Sequence, residues 1–357
     1  MLRGSYALKT NTVMPLIDIW AARYRPNFSA LETSKQSWRI GEISQCALAS
    51  RRRKTCEKLH NQLVIHACKL AAVRTKDLYA DLRHLDLKQI TNLADLFSPV
   101  YLQLLEIYQT HLSTLSQFES ELDPIPLNYL DKIIGVPDIG EIARVLEPLL
   151  TELWSQSTIA DSWKTLGFIT TQINLTNTLL LQDLDPMEQT LIGPYLTFLE
   201  EHMVMPWQRL CTAAAGPKAL AVVKHMLPII PEIAHAAHSQ WCQDFPYYYA
   251  RRGRLEHPIV KYSSLRDFSM FQVYLWLSFL QGSADVIETE LVVLARVVYG
   301  KLGIPWEMTV QGTQLLIDEV WTRLQPWEQR LVEPHAAAMV KAFVHSDSTL
   351  EAVLKVL

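Results

Sequence analysis

Glycine is scarce in this chain, with 12 in 357 residues, and sustained apolar–polar alternation is almost missing. Strands and tight hairpins therefore have little support, and the apolar residues instead recur at three- and four-residue spacing, the period of helices. Cysteine is sparse too: Cys46, Cys56, Cys68, Cys211 and Cys242 are scattered, odd in number and never in a Cys-x-x-Cys pair. That pattern fits reduced thiols in a cytosol-like compartment and excludes a sequence-evident zinc site. The formal net charge is only −4, so a nucleic-acid partner has no global electrostatic support. No window reaches the roughly 18 unbroken apolar residues of a spanning helix, and the N-terminus has no apolar core of signal-peptide length. The expectation is a cytoplasmic protein, at most peripheral to a membrane. P-loop, Gly-x-Gly-x-x-Gly, Gly-x-Ser-x-Gly and His-Glu-x-x-His patterns are all missing, so no catalytic site is named and the chain is not expected to be an enzyme.

What is present is enough apolar material for a sizeable core: 49% of residues are hydrophobic and 20% charged. The length suits one large or two medium domains. Residues 1–50 are broken by Pro15 and Pro26 and are expected to be weakly ordered, with Met14 as an alternative start of translation. A helical module of unknown family is expected over 51–185. It opens with the basic run Arg51-Arg52-Arg53-Lys54, read as a solvated helix start through about Val73. Ser98-Pro99 reads as an N-cap and first-turn proline of a helix from Val100, whose Tyr101, Leu104, Leu105, Tyr108 and Leu112 share a face. Asp138 and Glu141 have capping-box spacing. Asp183-Leu184-Asp185-Pro186 is the boundary candidate, and from residue 186 onward seven or more helices crowd into a length typical of a globin.

Within that second half, Ser264-Leu265-Arg266-Asp267 and Tyr299-Gly300-Lys301-Leu302-Gly303-Ile304-Pro305 stand in one register with Pro246, Gly253 and Gly312. These elements resemble the phycobiliproteins of phycobilisomes, in which a Cys-Leu-Arg-Asp motif lies under the bilin and a Tyr-x-x-Leu-Gly-x-Pro motif closes a later helix. The resemblance covers 186–357 and not the residues before it. It implies an all-α chain with a globin-like C-terminal domain, and a setting in photosynthetic light harvesting.

The resemblance also implies a site. A linear tetrapyrrole needs cations for its propionates, a carboxylate for its pyrrole N–H groups, and apolar walls. Arg266 and Asp267 fall at the positions that supply the first two in the family. Ser264 replaces the attaching cysteine, and a serine hydroxyl without an activating base forms no thioether. A bilin would therefore be held without a covalent bond. Tyr249 and Arg252, in the run Pro246–Arg254, would line the pocket, or that loop serves as a protein contact, since Tyr and Arg are favoured at interfaces. Arg266 and Asp267 have a plainer alternative as bridges between helices. Met203, Met205, Pro206 and Trp207 are either a subunit-pairing face or core. His235 and His238, three apart, lack a third metal ligand. The function expected is a non-catalytic scaffold or interaction partner of phycobilisome or other photosynthetic proteins, or of itself, peripheral to the thylakoid. The alternative is a regulatory or turnover factor handling free bilins or disassembling phycobilisomes.

Overall fold

The computed structural model describes residues 16–27, 48–78, 87–110, 134, 137–156, 163–250 and 253–345. In chain order the helices are α1 (Ile17–Ala21), a 3-10 turn (Ala22–Tyr24), α2 (Ala49–Lys58), α3 (Asn61–Leu78), α4 (Leu87–Thr110), α5 (Ile139–Gln156), α6 (Trp163–Leu181), α7 (Pro186–His202), α8 (Trp207–Thr212), α9 (Pro217–Met226) and α10 (Ile230–Asp244). A two-stranded ribbon follows, β1 (Tyr249–Ala250) and β2 (Gly253–Arg254), then α11 (Pro258–Gln281), a π turn (Ile287–Leu291), α12 (Val292–Leu302), α13 (Trp306–Arg323) and α14 (Pro326–Val344). Among the described residues the chain is all-α apart from that ribbon.

It divides into two compact units, Ala21–Met203 and Val204–Leu357, the second together with Met1–Trp20. The sequence boundary at 185/186 thus marks a helix start and not the edge of a unit. Asp185 caps α7, accepting from the Met187 and Glu188 amides at 3.0 and 2.9 Å while Glu188 returns a bond to the Asp185 amide at 3.0 Å. But α7 buries Leu191, Tyr195 and Phe198 within the first unit, so apolar burial assigns it there whatever its cap suggests.

In Ala21–Met203, α3 is the hub against which α4 and α6 pack. Its Ala67, Ala71 and Ala72 are buried, and such small side chains let neighbouring helices come close. The facing stripe on α4 is the expected one: Tyr101, Leu104, Leu105 and Tyr108 are all buried, while Leu112 lies outside the described residues. The start of α4 differs from expectation, because the helix runs through Pro99 from Leu87. Proline has no N–H for the Asp95 carbonyl, and the Ser98 hydroxyl donates to that carbonyl instead at 3.1 Å. The helix expected from Arg51 to Val73 is interrupted at Leu59–His60, where the His60 ring accepts from the Leu63 amide at 3.3 Å. Asp138 does cap α5, through the Glu141 amide at 2.9 Å.

The basic run is not wholly solvated, because Arg52 is 2% exposed. Its guanidinium lies 4.8 Å from the centre of the Tyr108 ring and donates to the Tyr108 carbonyl and the Tyr195 hydroxyl, each at 3.3 Å. Helical rotation turns this one member of the run inward while its neighbours face water. Nor is the expected weakly ordered segment free of structure: Tyr24 is buried, and with Arg23 it donates to Glu201 at 2.7–2.8 Å.

The second unit is built around α11, whose residues Phe268–Leu280 are all buried. A helix apolar on every side belongs at the centre, and α8, α9, α10, α13 and α14 surround it. Polar bonds fix the layers. Gln272 donates to the Ile230 carbonyl at 3.0 Å, Trp241 to the Met308 carbonyl at 2.9 Å, and Ser278 pairs with His335 Nδ1 at 2.8 Å. Arg209 holds Glu290 on the π turn at 2.7–2.9 Å. Leu-Gly-x-Pro does end α12: Gly303 takes φ 72°, and the Ile304 amide returns to the Tyr299 carbonyl at 3.0 Å, the bond that closes such a helix end.

Pro217–Asp244 is long and apolar enough by composition to cross a membrane. Here it is α9, a 3-10 turn and α10 in succession, with Val222, Val223, Met226, Ile233, Ala237 and Trp241 turned inward and Lys218, Lys224 and Glu232 exposed.

Candidate functional site

Three of the residues singled out as a bilin site, Ser264, Arg266 and Asp267, lie on one helix, but not at its start. Six residues of α11 precede Ser264, so the hydroxyl sits inside a turn and donates to the Val260 carbonyl at 2.9 Å. Asp267 lies three residues further on and the same face turns it toward the end of α12. There the Tyr299 hydroxyl donates to Asp267 Oδ2 at 2.9 Å. Arg266 takes the other oxygen, with Nη2 at 2.9 Å and Nε at 3.2 Å from Oδ1. Adjacent helix residues point about 100° apart, yet a long guanidinium stem can fold back to its neighbour, as it does here.

Burial drives the Tyr299 phenol well above its ordinary range, and the Asp267 carboxylate beside it pushes the same way. Tyr299 is therefore a permanent donor at neutral pH, and both Asp267 oxygens are engaged within the chain.

Beside this triad is a cavity of about 40 Å³ bounded by Trp241, Ser264, Phe268, Tyr299, Met308 and Thr309. Its walls are mostly apolar, and Thr309 Oγ1 is buried there without a hydrogen-bond partner. Gly312 explains why the floor is close-packed: a Cβ at that position would stand 3.3 Å from both Phe268 Cζ and Trp241 Nε1. A water needs roughly 10–15 Å³ of such space, so the enclosed part of the site takes a few waters.

Of the other residues assigned to the pocket, Tyr249 is 71% exposed on the ribbon and does not line the cavity, and Arg252 lies outside the described residues. Met203, Met205 and Trp207 are at most 7% exposed, so they are core and not a pairing face. The Tyr299–Asp267 bond joins two motifs that sequence places 32 residues apart; both were visible, but their contact was not.

Among the described residues no group of three or more His, Cys, Asp or Glu could hold a metal. His238 is buried, and its ring lies 3.6–3.7 Å from the Cys242 thiol. Burial, with help from Glu256, raises that thiol, and burial alone pushes Cys211 to about 12. Neither behaves as an activated nucleophile.

The central helix α11, buried over Phe268–Leu280, carries Ser-Leu-Arg-Asp just before that stretch and is latched at Asp267 by the tyrosine of a Tyr-x-x-Leu-Gly-x-Pro helix end. The phycobilisome protein family model matches residues 211–343, so that stretch of the C-terminal half is similar to a family whose setting is light harvesting. No curated protein and no solved structure matches the chain. Proteins of that family generally carry bilins and are not enzymes.

Proposed function

We propose that the chain is a non-catalytic phycobilisome-type protein that works by protein contact, as a scaffold or interaction partner in light harvesting. It would act in the cytoplasm, peripherally at the thylakoid surface. The observation that supports this reading best is the latch on Asp267. The carboxylate that would receive pyrrole N–H groups already accepts from Arg266 and Tyr299 at 2.9 Å each, and the adjoining cavity is about 40 Å³. A pigment entering there would have to break two bonds to a charged acceptor and part the aromatic walls, a cost its own contacts must first repay.

The second reading, a protein that takes up bilin non-covalently or handles free bilins during phycobilisome turnover, requires that opening. It is favoured by the retention of Arg266 and Asp267 where the covalent anchor is lost. Titration of the purified chain with a free linear tetrapyrrole separates the two. Contact-only function predicts an absorption spectrum equal to that of pigment in buffer. A red-shifted, sharpened band that disappears in Asp267→Ala would establish the bilin-handling reading in its place.

A further inference from the structure

Large apolar side chains left in solvent are not spread evenly over the described residues. Of eight, four fall within a short stretch: Tyr247, Tyr249, Ile259 and Tyr262. Tyr247 and Tyr249 are the most exposed, at 91% and 71%. Single exposed apolar residues are ordinary on a protein surface, whereas a cluster of rigid aromatics is not.

The ribbon that carries them is fixed from beneath. Tyr248, between the two bare tyrosines, turns inward and its hydroxyl donates to the Gly303 carbonyl at 3.3 Å. Tyr249 pairs with Arg254 and Ala250 with Gly253 in antiparallel register, so the Tyr249 and Arg254 side chains stand side by side on one face. Gly253 holds φ 131°, where a Cβ would meet His257 Cγ at 2.8 Å. Any other residue there would displace His257 and the start of α11. Leu255 is buried directly after it. Tyr247 and Tyr249 are therefore held outward before any partner arrives, which lowers the entropy cost of binding.

Charge selects the partner. Residues 246–262 contain Arg251, Arg252, Arg254 and Lys261 against the single acid Glu256, in a chain whose net charge is −4. This is a locally basic segment in an acidic protein. Tyrosine and arginine together are the residues most often found at the energetic centre of protein interfaces, and guanidinium groups match carboxylates in paired bonds. An anionic bilayer suits the segment less well, because exposed Glu256 lies within it and exposed Asp244 just before it.

We infer that the Tyr247–Tyr249–Arg254 ribbon is a docking surface for a carboxylate-rich face of another protein in the phycobilisome. The inference rests on the contact-based function proposed above and names where that contact is made.

Co-sedimentation of the full chain with purified phycobilisomes tests it. The wild-type chain should bind, and binding should weaken as salt is raised. Tyr247→Ala with Tyr249→Ala should weaken it at least ~10-fold, the scale of interface hot spots, and Arg254→Glu by at least as much. Trp327→Ala, an exposed aromatic on α14, should leave it unchanged. The altered residues are exposed, and circular dichroism verifies that each variant is folded. Ribbon variants that bind like wild type would overturn the surface and leave the contact-based function standing; a wild type that does not bind would overturn both. Binding to phosphatidylglycerol vesicles, or self-association in sedimentation velocity, that is lost in the same variants would replace the inferred partner with a membrane or a second copy.

Discussion

Replacing Tyr299 by phenylalanine removes one oxygen and nothing else from the latch between α11 and α12. The lost bond, 2.9 Å from hydroxyl to Asp267 Oδ2, has a charged acceptor, for which the usual contribution is about 1.5–3 kcal/mol. Two features place this case at the lower end. Asp267 keeps 20% of its side-chain surface exposed, so water can replace the hydroxyl, and Arg266 still holds the other oxygen at 2.9 Å. A loss of about 1.5 kcal/mol follows, equivalent to roughly 3–6 °C in Tm for a unit of this size. Thermal and urea unfolding of the full chain would measure it. Because there are two compact units, two transitions can separate, and only that of Val204–Leu357 should move. A double-mutant cycle with Asp267→Asn should return a coupling of about 1 kcal/mol or more. The substitution also frees one Asp267 oxygen. If bilin binding is opposed by the latch, Tyr299→Phe should raise tetrapyrrole affinity by about tenfold, the equivalent of 1.4 kcal/mol. A stability change below ~0.5 kcal/mol with no coupling would refute the latch as a structural element.

Two further outcomes follow from packing and burial. Gly312→Ala should be nearly neutral, its helix-propensity gain of about 1 kcal/mol offset by the 3.3 Å approach to Phe268 and Trp241; Gly312→Leu should cost about 1–3 kcal/mol by overpacking, read by urea denaturation. His202, stacked 5.3 Å from Phe198, has its pKa held down to about 4 by burial, against 6.5 ordinarily. Its native state therefore favours the neutral ring. As pH falls below about 6.5 the unfolded chain takes up the proton first, and stability is lost progressively down to about 4. The ceiling on that loss is about 3 kcal/mol, reduced because the residue still reaches solvent in part. His202→Phe keeps the stack, and its urea midpoint should lack this component of acid sensitivity.

The amino-acid sequence by itself determined the helical class, the inward stripe Tyr101–Tyr108, the cap at Asp138, the helix start at Pro186 and the stop at Gly303. Each of these rests on residues within a turn or two of one another, where spacing and backbone chemistry decide. It also supplied the Ser264–Asp267 and Tyr299–Pro305 motifs and, through them, the family that matches residues 211–343. Tertiary structure decided the rest. Whether α4 began at Pro99 or ran through it depended on packing against α3 and on a Ser98 hydroxyl able to serve Asp95. Whether Arg52 faced water depended on Tyr108 and Tyr195, which lie far along the chain, and the assignment of α7 depended on where its apolar face was buried. The state of the candidate site was beyond sequence for the same reason. Arg266 and Asp267 read identically whether they face a pigment or one another, and only the approach of Tyr299, 32 residues away, turns the motif into a closed latch.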